Sequence, residues 1–171
     1  MTEDSGAGLD YPTIDTLFRH NLWANTRLFA LCAELSNEEL DASTVGAFGT
    51  IRETAEHIAG AETSYWRRIV TGQPYRRPEG TPPPTWTELQ ASIRESGAGL
   101  IEAAPTGQTT DFLEINWGGE PRRVPAAIVL TQVINHATEH RAQIMTMLTQ
   151  LGIQPPDLDG WTYFAPREDA G

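Results

Sequence analysis

The sequence contains no lysine: all 12 of its basic residues are arginines. That absence removes Schiff-base chemistry and any lysine general base. Codon bias in a GC-rich genome is its plain explanation. Cysteine is almost missing too. With Cys32 alone in the chain, no internal disulfide can form, which suits a reducing compartment. A core must hold the fold instead, and a chain of 171 residues is long enough to build one. Basic charge is scarce against 23 acidic residues, and the net charge of −11 repels phosphate backbones and anionic headgroups alike. Nucleic acid and membrane surfaces are therefore not expected partners. The pairs Arg67-Arg68, Arg76-Arg77 and Arg122-Arg123 read as solvated surface. Also missing are an apolar run of about 18 residues and an N-terminal basic-then-apolar signal, so the expectation is a soluble cytoplasmic protein. No repeat or change of composition divides the chain, and residues 1–171 are expected to form one domain.

What is present is helical periodicity, in four segments. The first runs from about Thr13 to Leu35, with Ile14, Leu17, Phe18, Leu28, Cys32 and Leu35 on one face and Asn21 and Asn25 on that same face. The second opens on Thr50-Ile51-Arg52-Glu53, a capping box in which side chain and backbone satisfy each other's free amides. It continues through Ala55, Ile58, Tyr65 and Ile69 to Gly72, where the stretch GQPYRRPEGTPPP breaks the pattern. The third starts on a second box, Thr85-Trp86-Thr87-Glu88, and carries Leu89, Ile93, Leu100 and Ile101, with Gly97 and Gly99 weakening it. Leu113, Ile115 and Trp117 then alternate ahead of Gly118-Gly119, the pattern of a small β-hairpin. The fourth helix spans about Pro125 to Leu151, with Gly152 as its cap and Pro155-Pro156 preventing continuation. These elements predict an all-α fold, a four-helix bundle with a β-hairpin before the last helix. The tail, about 152–171, is expected to pack on the bundle through Trp161, Tyr163 and Phe164, and Trp23 to cover that tail or a dimer contact.

The fourth helix holds the chemistry. In NHATEHRAQI, Asn135 to Ile144, His136 and His140 lie four apart, and the arc of Val129, Val133, Ala137, Ile144, Met147, Leu148 and Leu151 turns both inward. One histidine on an apolar face is most often a hydrogen-bonded core residue. Two at this spacing equally fit a helical pair of metal ligands. The stretch His136-Ala137-Thr138-Glu139-His140 lacks the glutamate directly after the first histidine that serves helical zinc proteases as a general base. A third ligand must come from His57 or His20, and spacing leaves both open. Glu62 and Arg141 fall on or near apolar faces, which predicts a buried charge pair. Asn21 and Asn25 are expected to satisfy each other or a loop carbonyl, with orientation of metal ligands as the functional alternative.

The segments HNLWANTRLF, FGTIRETAEHIAGAE and INHATEHRAQI, followed by LGIQPPDLDGW, resemble the DinB family of bacterial four-helix-bundle metalloproteins over nearly the entire chain. The resemblance implies a DinB-type bundle, a homodimer, and metal ligation by His57, His136 and His140, with no ligand role for His20. Ala142 stands where the family often has glycine after the His-Arg pair, a change that a helix tolerates. The resemblance also implies a small-molecule substrate, an electrophile to which a low-molecular-weight thiol is transferred. Three neutral imidazoles fit that chemistry, because they leave a divalent ion its full charge and its pull on an anionic cosubstrate. Zinc is the first choice of metal, with nickel, iron or manganese as others. Cys32, in the apolar stripe, is a poor nucleophile, so the thiol would be a cosubstrate. Two other readings stand beside this one: a metal-binding stress-response protein without turnover, which a closed fourth ligand such as His20 would favour, and a metal-dependent hydrolase.

Overall fold

The computed structural model describes residues 12–105, 112–117 and 119–168. Its elements are α1 (Thr13–Cys32), α2 (Asn37–Leu40), α3 (Ile51–Thr71), α4 (Trp86–Ala103), β1 (Phe112–Trp117), β2 (Glu120–Pro125), α5 (Ala126–Gln150) and α6 (Gly160–Glu168). Helices α1 and α3 each pack against both α4 and α5, so the order around the bundle is α1, α4, α3, α5. The expected four-helix bundle is present, and the hairpin precedes α5, with β1 and β2 paired antiparallel from Phe112 opposite Pro125 to Trp117 opposite Glu120. Gly118, half of the expected turn, lies outside the described residues. Among the described residues no helix is long and apolar enough to cross a membrane.

Both expected capping boxes form: the Thr50 and Thr85 hydroxyls accept from the amides of Glu53 and Glu88, whose carboxylates accept in turn from the cap amides. A third box, beyond the two expected, forms at Ser36-Asn37-Glu38-Glu39. It starts the four-residue α2 and ends the first helix at Cys32 rather than Leu35. The tail differs as well. It forms α6, whose Tyr163 is buried while Trp161 keeps 83 % of its surface exposed, because successive helical positions turn Trp161 outward. Tyr163 packs on Trp23 and His20 with ring centroids 5.3 and 5.5 Å apart, so Trp23 covers the tail as one of its two expected roles required.

The glycines of α4 are where its neighbours come closest. A Cβ at Gly97 would lie 2.6 Å from Leu22 of α1, and one at Gly99 would overlap the indole of Trp66 on α3. The helix accepts two weak formers, each worth about 1 kcal/mol against alanine, in exchange for close packing on both sides.

The apolar interior forms two clusters. One gathers Leu28, Phe29, Ile51, Ile58, Ile93 and Ile144, and the other Phe18, Leu100, Leu130 and Val133. On α1, α3, α4 and α5 a buried polar side chain separates members of the two: Asn21, Glu62, Ser96 and Arg141. Asn25 joins them. Buried polar groups need partners, and these five find each other. Glu62 Oε2 accepts from Nδ2 of both Asn21 and Asn25 at 2.8 Å, and its Oε1 lies 3.0 Å from the Ser96 hydroxyl. Nη1 of Arg141 donates to Oδ1 of Asn21 at 2.7 Å and of Asn25 at 2.8 Å, while Nη2 donates to Thr138. The expected Glu62–Arg141 pair is thus relayed through two carboxamides, each bonded to the carboxylate on one side and the guanidinium on the other. An Asn side chain both donates and accepts, so it can stand between a carboxylate and a guanidinium and satisfy both.

Candidate metal centre

The three histidines come together because α3, which carries His57, packs against α5, where His136 and His140 lie one turn apart on the same face. His140 is buried and the other two are half-buried. Ring centroids are 4.7 Å apart from His57 to His136, 4.7 Å from His57 to His140, and 4.4 Å from His136 to His140. One nitrogen from each ring falls within 4.8 Å of the others, a group that could hold a metal ion.

Nε2 of His57 and Nε2 of His136 are 2.9 Å apart, one donating and one accepting. Tetrahedral zinc with bonds of about 2.0–2.1 Å would separate two such nitrogens by roughly 3.3 Å, so this pair would part by a few tenths of an ångström, while nitrogens of the group that lie as much as 4.8 Å apart would draw together. The tautomer of His140 follows from a chain of constraints. The backbone N–H of Phe48 can only donate, and it lies 3.1 Å from Oε1 of Gln143. That sets the orientation of the carboxamide. The same oxygen is 2.9 Å from Nδ1 of His140, so Nδ1 carries the proton and Nε2 keeps its lone pair. Such a bond to the far nitrogen is how proteins orient a ligating imidazole.

Two aromatic rings flank the cluster. Phe48 stacks on His57 with centroids 3.9 Å apart and planes 13° from parallel, and meets His140 edge-on at 5.5 Å. Tyr65 meets His136 edge-on at 5.9 Å. Gln143 could have been found in the sequence, since it follows His140 by three on one helical face. Phe48 lies in a loop and carries no such signal. His20, the other candidate ligand, is elsewhere: its Nε2 donates to the Leu158 carbonyl at 2.8 Å, fastening the tail to α1.

Burial, reinforced by His140 and then His57, pushes His136 down from 6.5 to about 4, and burial with His140 lowers His57 as well. A histidine depressed in the folded state takes up its proton more readily when unfolded. Metal-free protein should therefore lose stability as pH falls from about 6.5 toward 4, the window between the unfolded and folded values of His136. Chemical denaturation of chelator-treated protein across that range checks this. His136→Asn, which cannot titrate there, should flatten the slope, and an unchanged slope would contradict the assignment.

A helical bundle with a trihistidine group between two of its helices defines the class: an all-α protein with a group of side chains that could hold a metal ion. The DinB family model matches residues 7–169, and the chain belongs to that family. Its fold is similar to the crystal structure of a DinB-like protein from Bacillus cereus, at 19 % identity and a TM-score of 0.59, covering 82 % of this chain and 91 % of that one. No match was found among curated proteins.

Proposed function

We propose that the chain is a divalent-metal-dependent enzyme that transfers a low-molecular-weight thiol to a small electrophile, with His57, His136 and His140 as the metal ligands. The observation that carries this reading is the donor set: three neutral imidazoles, with no carboxylate or cysteine joining the group among the described residues. Zinc suits such nitrogen donors, and nickel, iron or manganese are the other candidates. When bound, the ion supplies Lewis acidity that favours ionisation of a thiol or water offered to its open side.

The chain's own residues favour an outside nucleophile. Burial pushes the Cys32 thiol up to about 12, far from the range of an active thiolate. Lysine is absent from the sequence. His140 is held with its lone pair presented, with the Phe48 ring edge-on to it and the Tyr65 ring edge-on to His136. The engagement of His20 with Leu158 argues against a closed four-histidine site, the feature that would favour a binding protein without turnover.

Metal-loaded protein should accelerate conjugation of a biological thiol with a chlorodinitrobenzene: the sulfur–carbon bond forms, chloride leaves, and the thiol proton passes to solvent. Across a panel of such thiols, acceleration should vanish on chelation and in His140→Ala. If fully loaded protein accelerates none of them, thiol transfer is wrong and metal binding without turnover takes its place.

A further inference from the structure

Phe48 leaves 54 % of its surface in solvent, yet its position is closely determined. The loop that carries it is tied at its base. Ile51 donates to the Ala42 carbonyl at 3.0 Å, and Ser43 and Thr50 form an antiparallel bridge. Inside the loop Ala47 donates to Thr44 at 3.1 Å and packs on the core. Phe48 then turns outward, flat on His57 and edge-on to His140, touching two of the three grouped imidazoles. One oxygen of Gln143 accepts both the Phe48 amide and His140 Nδ1, using its two lone pairs. Loop and imidazole therefore cannot shift independently without losing a bond.

We propose that Phe48 determines specificity at the trihistidine site: its exposed half is the apolar wall met by anything entering beside His57 and His140, and it selects molecules with a flat apolar group next to the atom the site holds. Gln143 is the positioning residue that keeps this wall and His140 in one register. The inference rests on the thiol-transfer reading and specifies which thiols and electrophiles it admits: aryl or otherwise unsaturated ones. Contact between two aromatic rings is worth up to about 10-fold in affinity beyond simple burial.

Cobalt(II)-loaded full-length protein, whose visible spectrum reports a change of ligands, tests this by titration with mercaptoethanol and with phenylmethanethiol. The unaltered protein should prefer phenylmethanethiol, and Phe48→Ala should reduce the ratio of the two affinities by about 10-fold, whereas Phe48→Tyr keeps it. Gln143→Leu should lose the preference, and Gln143→Glu, still able to accept both N–H groups, should retain it. The same ratio in Phe48→Ala as in the unaltered protein would overturn the wall while leaving thiol transfer standing. Failure of Phe48→Ala to load cobalt would also overturn it, since the ring is assigned no part in holding the ion. A spectrum that responds to neither thiol would overturn the thiol reading and this inference together.

Discussion

Replacing His57, His136 or His140 with alanine is expected to weaken metal binding more than about 100-fold, beyond the range typical for losing an outer partner of a ligand. Purified variants should then carry almost no zinc, while His20→Ala keeps the full complement. The reason is geometric. The three imidazoles converge from two helices, and an ion held by two of them would meet water at half of a tetrahedral shell. His20 is occupied with Leu158 and lies between Trp23 and Tyr163, so its loss should loosen the tail without reaching the site. Elemental analysis of the four variants, with circular dichroism to confirm the fold, decides the matter. Loss of metal in His20→Ala alone would show that the ligand set is wrong. Gln143 offers a graded check, because Gln143→Leu removes the partner of His140 Nδ1 but no donor and should weaken binding only about 10- to 100-fold.

The periodic parts of this fold were legible because they are local. Capping boxes at Thr50 and Thr85 specify helix starts within four residues, and the inward pair His136 and His140 follows from the period of one helix. The pairing of His57 with them depends on which helices become neighbours, a property of the whole bundle. Spacing left His57 and His20 equivalent, and family resemblance separated them. Phe48 was out of reach for the same reason: a loop residue has no period, and its contact with His57 exists only once α3, α5 and the loop base are assembled. The tail misled in a narrower way. Its three aromatics suggest one anchoring cluster, yet a helix from Gly160 puts Tyr163 inward and Trp161 in solvent. Likewise, a direct Glu62–Arg141 pair was the simplest solution for two buried charges, and only the packed core shows that Asn21 and Asn25 occupy the space between them.

That relay carries the second large expected effect. Arg141→Met should destabilise the protein by about 3–5 kcal/mol, the range for removing one partner of a buried ionic arrangement. Burial lowers the Arg141 guanidinium to about 10, so it remains a cation at neutral pH. Without it, the Asn21 and Asn25 oxygens lose their donor and Glu62 loses the charge that offsets its burial. The loss should depend on pH in a definite direction. Burial already raises the Glu62 carboxyl above its ordinary 4.5, and removing Arg141 raises it further. A carboxyl raised in the folded state holds its proton there after the unfolded chain has released it, so stability declines as pH climbs above the unfolded value. Arg141→Met should consequently be harmed least near pH 4.5 and most near neutrality. Histidine titration affects both proteins and cancels in the difference between them. The double variant Glu62→Leu, Arg141→Met should be less unstable than the sum of its single changes, because neither leaves the other's charge uncompensated. Urea denaturation of the four proteins at both pH values measures all of this. A loss for Arg141→Met that is below about 1 kcal/mol, or that does not vary with pH, would mean that the relay does not hold Glu62 and Arg141 as a charged pair.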